Sequence, residues 1–440
     1  MNKLKNIPVV RKELLFPFII ITSLFALWGI ANDLTNPMVS AFKKVMPELS
    51  NVQASLVQFA FYFGYFFMAL PAALFIRKYS YKSGIILGLT LYAIGAFLFY
   101  PAAANEQFNY FLISLWIITC GLAFLETTSN PLILMMGDKE TATRRLNLAQ
   151  AFNPIGSLTG MIIAQVFVIG ALRSDDFTTE AYNALSSEEL AVIRENDLSV
   201  ISIPYIALGV LVLAIMGVIV FTKMPKTAEE DKMSLSDSFS KLFANKNYVK
   251  GVVAQAFYVG AQIMCWTYIF QYVDNLNDTL GLELTATYFN VTAMIIFLVG
   301  RWIGTGLMKT INPSKMLMLF GIGGVIFCAG AILIPGVLGL YSLVGVSLFM
   351  SIMFPTIYGI ALKDMGDEAK IGSAGLVMAI VGGALLPILQ GWILDWGGPG
   401  FGDLQLLGYI PEVNISFILP LICLVVVSFY GYTTLKLSNK

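Results

Sequence analysis

Apolar runs about 20 residues long recur along the chain, separated by short polar breaks, which is the length needed to cross a bilayer core as a helix. They fall at 17–42, 53–76, 84–101, 108–136, 145–172, 199–222, 247–273, 285–308, 315–335, 337–362, 371–394 and 413–435. The pattern predicts an all-α membrane protein with twelve transmembrane helices. Gly and Pro inside the runs do not argue against this, because membrane helices use both more freely than soluble ones. One polar stretch, 223–246, follows the sixth run and divides the chain into an N-terminal six-helix half (1–222) and a C-terminal six-helix half (247–440). The halves are alike in part. SNPLILMMGDKETATRRLNLAQAFNPIGSLTGMIIAQ parallels MFPTIYGIALKDMGDEAKIGSAGLVMAIVGGALLPILQ, each with a Pro in the first helix, a short Gly-Asp loop, a Gly-rich second helix and a closing Gln.

Composition agrees with the pattern: 57% of residues are hydrophobic and only 12% charged, far from soluble averages. Lys+Arg and Asp+Glu number 27 each, so no charge bias points to a nucleic-acid partner. With no His and four Cys (Cys120, Cys265, Cys328, Cys423) in unpaired spacing, zinc, haem and disulfide frameworks lack support. Neither a metal nor an organic cofactor is expected. No P-loop, nucleophile elbow or metal-ligand motif occurs, so ATP-driven transport and enzymatic chemistry are not indicated. Basic residues set the orientation. If both ends are cytoplasmic, the inner segments carry most of the Lys and Arg, among them Arg11, Arg77, Lys78, Lys82, Arg144, Arg145, Lys226, Lys309 and Lys363. The outer segments then keep Lys43, Lys44, Arg173 and Arg194 beside acids such as Asp175, Asp176, Glu188, Glu189 and Asp197. The positive-inside rule therefore places both termini in the cytoplasm. The basic start followed by an apolar run without a small-residue cleavage site reads as a retained first helix.

Glu126 is the one charged residue in the run from Leu112 to Met136. A charge at mid-membrane costs about 2.5–3.5 kcal/mol even on a lenient scale, so it persists where it meets water, a partner or a ligand. A carboxyl so placed can carry a proton or accept hydrogen bonds from sugar hydroxyls. Asn130 lies one turn on and shares its face. In the next run, RLNLAQAFNPIGSLTG puts Asn147, Gln150, Asn153 and Ser157 on one helical stripe. In the first run, Asn32, Asp33, Thr35 and Asn36 interrupt apolar sequence, and Pro37 ends or kinks the helix there. Amides of this kind also bond neighbouring membrane helices, but a carboxylate costs more to bury than an amide. In the second half, Gln255, Tyr258, Gln262 and Trp266 form one stripe, a composition suited to sugar, whose C–H faces stack on rings while its hydroxyls need donors and acceptors. Tyr358 in FPTIYG is a further candidate on the same logic. Arg301 lies about two turns from Lys309 and can snorkel to the cytoplasmic side; a structural or gating role fits it better than substrate contact.

FALWGIANDLTNP, QFAFYFGYF, SYKSGIILG, LETTSNP, RLNLAQAFN, FYVGAQIMCW and GRWIGT together resemble the fucose–galactose–glucose:proton symporter family of the major facilitators, nearly from end to end and most closely its L-fucose members. ALFIRKYSYKSG, with Arg77 and Lys78, and the segment around Arg301 resemble the facilitator loop signature that gates the inner face, without its usual acidic member. The resemblance implies import of a monosaccharide, L-fucose or a related hexose, together with protons, by alternating access in a bacterial inner membrane, with a monomer as the transporting unit. It implies that Glu126 is a titratable residue of the substrate cavity. It also implies that Gln150 and Asn153 are polar residues of that cavity; Asn32, Asn36, Asn130, Gln262, Trp266 and Tyr358 join them as substrate-contact candidates on the residue-level reading above.

The chain departs from the family pattern at three positions. The family's first-helix asparagine falls on Asp33 and its proton-coupling aspartate, three residues later, on Asn36. A tyrosine of the tenth helix falls on Phe354. Either Asp33 has taken over proton coupling one turn away, or Glu126 alone carries it, or coupling uses another ion or none. A glucose- or galactose-type hexose transporter therefore stays open, and so does a sugar sensor without flux, which the lack of a signalling domain disfavours.

Overall fold

The computed structural model describes residues 7–35, 38–46, 49, 51–177, 185–225, 234–394, 405–406, 408 and 410–438. Among them twelve helical stretches are long and apolar enough to cross a membrane. Span 1 is Lys12–Thr35, span 2 Phe59–Lys78, span 3 Tyr81–Ala104, span 4 Phe108–Met135, span 5 Lys139–Ala171 and span 6 Ser187–Phe221. Span 7 is Lys246–Leu280, span 8 Ala286–Leu307, span 9 Pro313–Leu333, span 10 Val337–Ala361, span 11 Gly366–Leu394 and span 12 Glu412–Leu437. The twelve expected helices are therefore present, with a separate short helix, Met38–Val45, after span 1. A two-residue antiparallel pairing, Gln405–Leu406 with Ile410–Pro411, precedes span 12.

Spans 5 and 10 are each interrupted just before a proline. Proline has no N–H and its ring crowds the carbonyl one turn back. Span 5 runs as an α-helix over Ala142–Gln150, breaks at Ala151 and Phe152, and resumes over Asn153–Ile163 with Pro154 in its first turn. It closes with a π-helical turn, Ala164–Val168. Span 10 breaks likewise between Val337–Met350 and Met353–Ala361, with Pro355 just beyond.

By packing, the chain forms two compact units. One comprises Glu13–Leu132 and Phe152–Glu230; the other comprises Met1–Lys12, Ile133–Ala151 and Asp231–Lys440. These are not the two covalent halves, because the end of span 4 and the start of span 5 pack with the second unit. In the first unit, span 1 crosses the later part of span 5 with backbone against backbone. A Cβ on Gly156 would lie 1.9 Å from the carbonyl oxygen of Ala26, and one on Gly29 would lie 2.1 Å from that of Asn153. Small residues at such a crossing are the usual device of membrane helix pairs. Asp197 of span 6 accepts the backbone N–H groups of Arg173 (2.8 Å) and Ser174 (3.0 Å), which ties down the segment leaving span 5.

In the second unit, Arg145 is fully buried, although its sequence position suggested a loop charge that sets topology. Its Nε donates to the Ile133 carbonyl at 2.7 Å, Nη1 to that of Val9 at 2.9 Å and to Thr141 Oγ1 at 3.1 Å, and Nη2 to the Leu134 carbonyl. The guanidinium thus caps the carbonyls that the end of span 4 leaves free. Gly137 makes room for it, since a Cβ there would sit 2.5 Å from Nη1. At the other end of the unit Asn414 donates to the Tyr272 hydroxyl and the Ala331 carbonyl, both at 2.8 Å.

Candidate functional site

The polar positions singled out from sequence fall into two sets, one inside each unit. In the first unit the set is built on spans 1, 2, 4 and 5. Glu126 is half-buried near the middle of span 4. Its backbone carbonyl accepts Asn130 Nδ2 at 3.0 Å, and the Asn130 amide also reaches its carboxylate. Asn130 itself is fully buried. Tyr65 of span 2 lies within electrostatic range of Glu126, and Tyr62, one turn earlier, within range of Asp33. Among the described residues no Lys or Arg pairs with Glu126. Asn32 and Asp33 are half-buried on span 1, and the Asn32 Oδ1 has no partner. Trp28, one turn earlier on the same face, is buried with its indole N–H unpartnered. Asn153 donates through Nδ2 to the Phe25 carbonyl at 3.2 Å, which fixes it to span 1. Asn36 lies outside the described residues.

Tyr62, Tyr65 and Trp28 were not picked out by sequence reasoning as site residues. The signal was present, since Tyr62 and Tyr65 stand at i, i+3 in an aromatic run and Trp28 one turn before Asn32. Single aromatics in membrane helices most often pack or anchor, so the pattern alone did not separate them.

The amide ladder of span 5 is not one stripe of one helix. The break at Ala151 and Phe152 divides it, leaving Asn147 and Gln150 with the second unit and Asn153 and Ser157 with the first. The cause is Pro154, which withholds the N–H that the Gln150 carbonyl needs to continue the helix.

In the second unit the Gln255–Trp266 stripe lies on one unbroken helix, Lys246–Thr267, as expected. Gln255 and Tyr258 are fully buried, and neither polar atom of the Gln255 amide has a partner. Gln262 and Trp266 are half-buried. The Trp266 indole donates to Ser347 Oγ at 3.1 Å and meets Phe297 edge-on at 5.0 Å. Tyr358 is fully buried and stacks on Phe354, ring centroids 6.3 Å apart; Phe354 in turn meets the Tyr258 ring at 6.2 Å.

Arg301 does not snorkel. It is 3% exposed, its Nη1 donates to the Gln150 carbonyl at 2.9 Å, and its Nε donates to the Ser351 carbonyl. The guanidinium carbon lies 4.6 Å from the Phe297 ring centre, and Tyr258 is beside it. Carbonyl partners inside the protein outcompete the reach to the membrane surface. In the first unit Arg77 is half-buried, and Lys78 is exposed with its ammonium 5.4 Å from the Tyr79 ring centre.

Chemically, the first set offers an acid, Glu126, with no cationic partner among the described residues, amides, and aromatic rings with hydroxyl and indole donors. That combination can exchange a proton and meet several hydroxyls at once. Comparison with known proteins bears on its use. A family model described as Major Facilitator Superfamily matches residues 15–387. The chain is 54% identical to the L-fucose-proton symporter of Haemophilus influenzae, over 98% of this chain and 99% of that one. It is 30% identical to a glucose/galactose transporter of Brucella abortus, over 96% and 94%. Among solved structures it is similar to a variant of the fucose:proton symporter of E. coli, with a TM-score of 0.84 and 31% identity, covering 96% of this chain and 98% of that one.

Proposed function

The chain belongs to the major facilitator superfamily, and from that membership we propose that it is a secondary transporter, not an enzyme, importing a monosaccharide, L-fucose or a related hexose, together with protons. The reading places it in a bacterial inner membrane with both termini cytoplasmic, one copy sufficing for transport and the proton as its sole cofactor-like requirement. The observation that carries it is Glu126: a carboxyl inside a membrane helix, flanked by Asn130 and Tyr65 and by no cation among the described residues. A carboxylate fixed by an arginine would be held ionised throughout a cycle, whereas one among neutral partners can gain and lose its proton.

Residue roles follow. Glu126 couples proton to sugar, with Asp33 as the second acid. Asn32, Asn36, Asn130, Gln150, Asn153, Gln262, Trp266 and Tyr358 contact sugar, while Arg77, Lys78 and Arg301 serve structure and gating. Similarity to the Haemophilus and E. coli symporters supports fucose, and the Brucella relative keeps glucose and galactose as the second substrate class. The test is uptake into proteoliposomes over a panel of L-fucose, D-galactose and D-glucose, with and without an inward proton gradient. Gradient-driven accumulation of L-fucose is expected. Equal uptake with and without the gradient would overturn proton coupling, and preference for D-glucose would overturn the substrate class.

A further inference from the structure

Arg301 satisfies two carbonyls that two prolines have set free. In a helix the carbonyl of residue i accepts the N–H of residue i+4. The acceptor facing Pro154 is therefore Gln150, and the acceptor facing Pro355 is Ser351; proline can supply neither bond. Arg301 donates Nη1 to the Gln150 carbonyl (2.9 Å) and Nε to the Ser351 carbonyl. One guanidinium on span 8 thus bridges the break in span 5 and the break in span 10. Flanking contacts join the same elements. Arg144 Nε donates to the Thr305 carbonyl at 3.3 Å, Asn147 Nδ2 to Thr356 Oγ1 at 3.1 Å, and Lys139 pairs with Asp364 at 3.5 Å on the exposed rim.

We propose that Arg301 is a positioning residue and the centre of a releasable latch, in which its guanidinium clamps the proline-freed carbonyls of Gln150 and Ser351 and so holds the Ala142–Gln150 helix on spans 8 and 10. The proposal rests on the transport reading in one respect. By connection, Ala142–Gln150 is part of the first six-helix half, so rocking of the halves must part it from spans 8 and 10 once per cycle.

Two features suit the latch to release. Arg301 is buried with carbonyl dipoles and the Phe297 ring around it, and no acid pairs with it among the described residues. A buried cation without a counter-ion regains hydration when its site opens, so closing is not a deep trap. The two acceptors also sit at helix breaks, where the backbone has no internal donor that would compete for them. A fixed structural arginine looks different in this same protein: Arg145 gathers five acceptors, including the end carbonyls of span 4, and has nothing to gain by leaving. Holding the Gln150 carbonyl also fixes where the Gln150 side chain starts, which links the latch to a residue assigned to sugar contact.

The test uses the full chain in nanodiscs, with a reporter cysteine introduced by Thr143→Cys on the latched helix, whose neighbour across the contact is Gly359; the four native cysteines are buried. The measurement is the rate of labelling by a charged maleimide. Arg301→Gln is expected to raise the rate about tenfold, the population change that loss of one charge-assisted hydrogen bond produces. Arg301→Lys should fall between, since an ammonium lacks the planar fork that reaches two carbonyls. Pro154→Ala supplies the missing N–H to Gln150 and competes with Arg301, so it should also raise the rate, and it should add little on top of Arg301→Gln. An unchanged rate in folded Arg301→Gln, or effects of Pro154→Ala and Arg301→Gln that multiply, would overturn the latch. If Arg301→Gln does not fold, Arg301→Lys and Pro154→Ala decide in the same way. Sugar counterflow measured on the same samples separates the two proposals, because a wild-type protein without flux fails the transport reading while the labelling rates still decide the latch.

Discussion

Two acids inside the first unit show how partners decide what a buried carboxylate is for. Asp197 is fully buried, and both of its oxygens are occupied by backbone N–H groups. Glu126 has one amide neighbour and a tyrosine in range. Asp197→Asn replaces one acceptor by a donor that faces an N–H, which leaves a buried donor unmet at a cost of about 1–3 kcal/mol. A lower melting temperature with unchanged proton-to-sugar ratio is expected, read by thermal size-exclusion assays and by uptake. Glu126→Gln keeps the shape and removes only the titration, so stability should hold while uphill accumulation disappears and sugar counterflow survives. Full uphill uptake by Glu126→Gln would transfer coupling to another group. Asp33 is that group's first candidate: Asp33→Asn should impair coupling, and adding Asn36→Asp, which restores the family order, should rescue it. Glu126 was legible in sequence because a lone charge in an apolar run is costly. Arg145 was not, because a basic residue near a helix end is the ordinary topology signal and its carbonyl partners, on the end of span 4 and at Val9, carry no pattern that marks them as acceptors.

At the scale of elements, hydropathy located every span because membrane thickness alone fixes their length. It did not locate the breaks within them. Pro154 divides the amide ladder of span 5 by ending its first segment, whereas hydropathy counts it as one more proline that membrane helices tolerate. Whether such a proline kinks or breaks a helix turns on who accepts the freed carbonyl, and that donor, Arg301, lies 151 residues away in sequence. The crossing of spans 1 and 5 was equally hidden, since a glycine contact carries no periodic signal. It makes a sharp prediction nonetheless. Gly156→Ala places a methyl 1.9 Å from the Ala26 carbonyl oxygen, so the spans must separate, at a cost of at least about 1–3 kcal/mol. Gly217→Ala on span 6 meets nothing within 4 Å and should be neutral or slightly stabilising, as alanine is the better helix former. Melting curves of the two variants in detergent should differ clearly in sign or size; equal melting temperatures would mean the crossing is looser than the backbone contact implies.

At the scale of the whole molecule, covalent order and packing order disagree over one segment. Residues 133–151 are joined to the first six-helix half, yet they pack within the unit that holds spans 7–12. Hydropathy and repeat symmetry see only covalent order, so the sequence could not have indicated this. The consequence is testable by cutting the chain between residues 230 and 231, in the polar linker. The fragment 1–230 made alone carries the Ala142–Gln150 helix without Arg301, Thr305 and Thr356. Its Gln150 carbonyl then has neither the N–H that Pro154 lacks nor the guanidinium that replaces it, and Asn147 loses its hydroxyl partner. Unmet polar groups at membrane depth are costly, so this fragment should elute as aggregate or melt early in fluorescence-detected chromatography. Co-expression with 231–440 should restore a monodisperse peak and sugar-dependent stabilisation. Arg301→Gln in the second fragment should weaken that restoration. A fragment 1–230 as stable alone as in the co-expressed pair would show that 133–151 does not depend on spans 8 and 10, and the packing division would then have no energetic meaning.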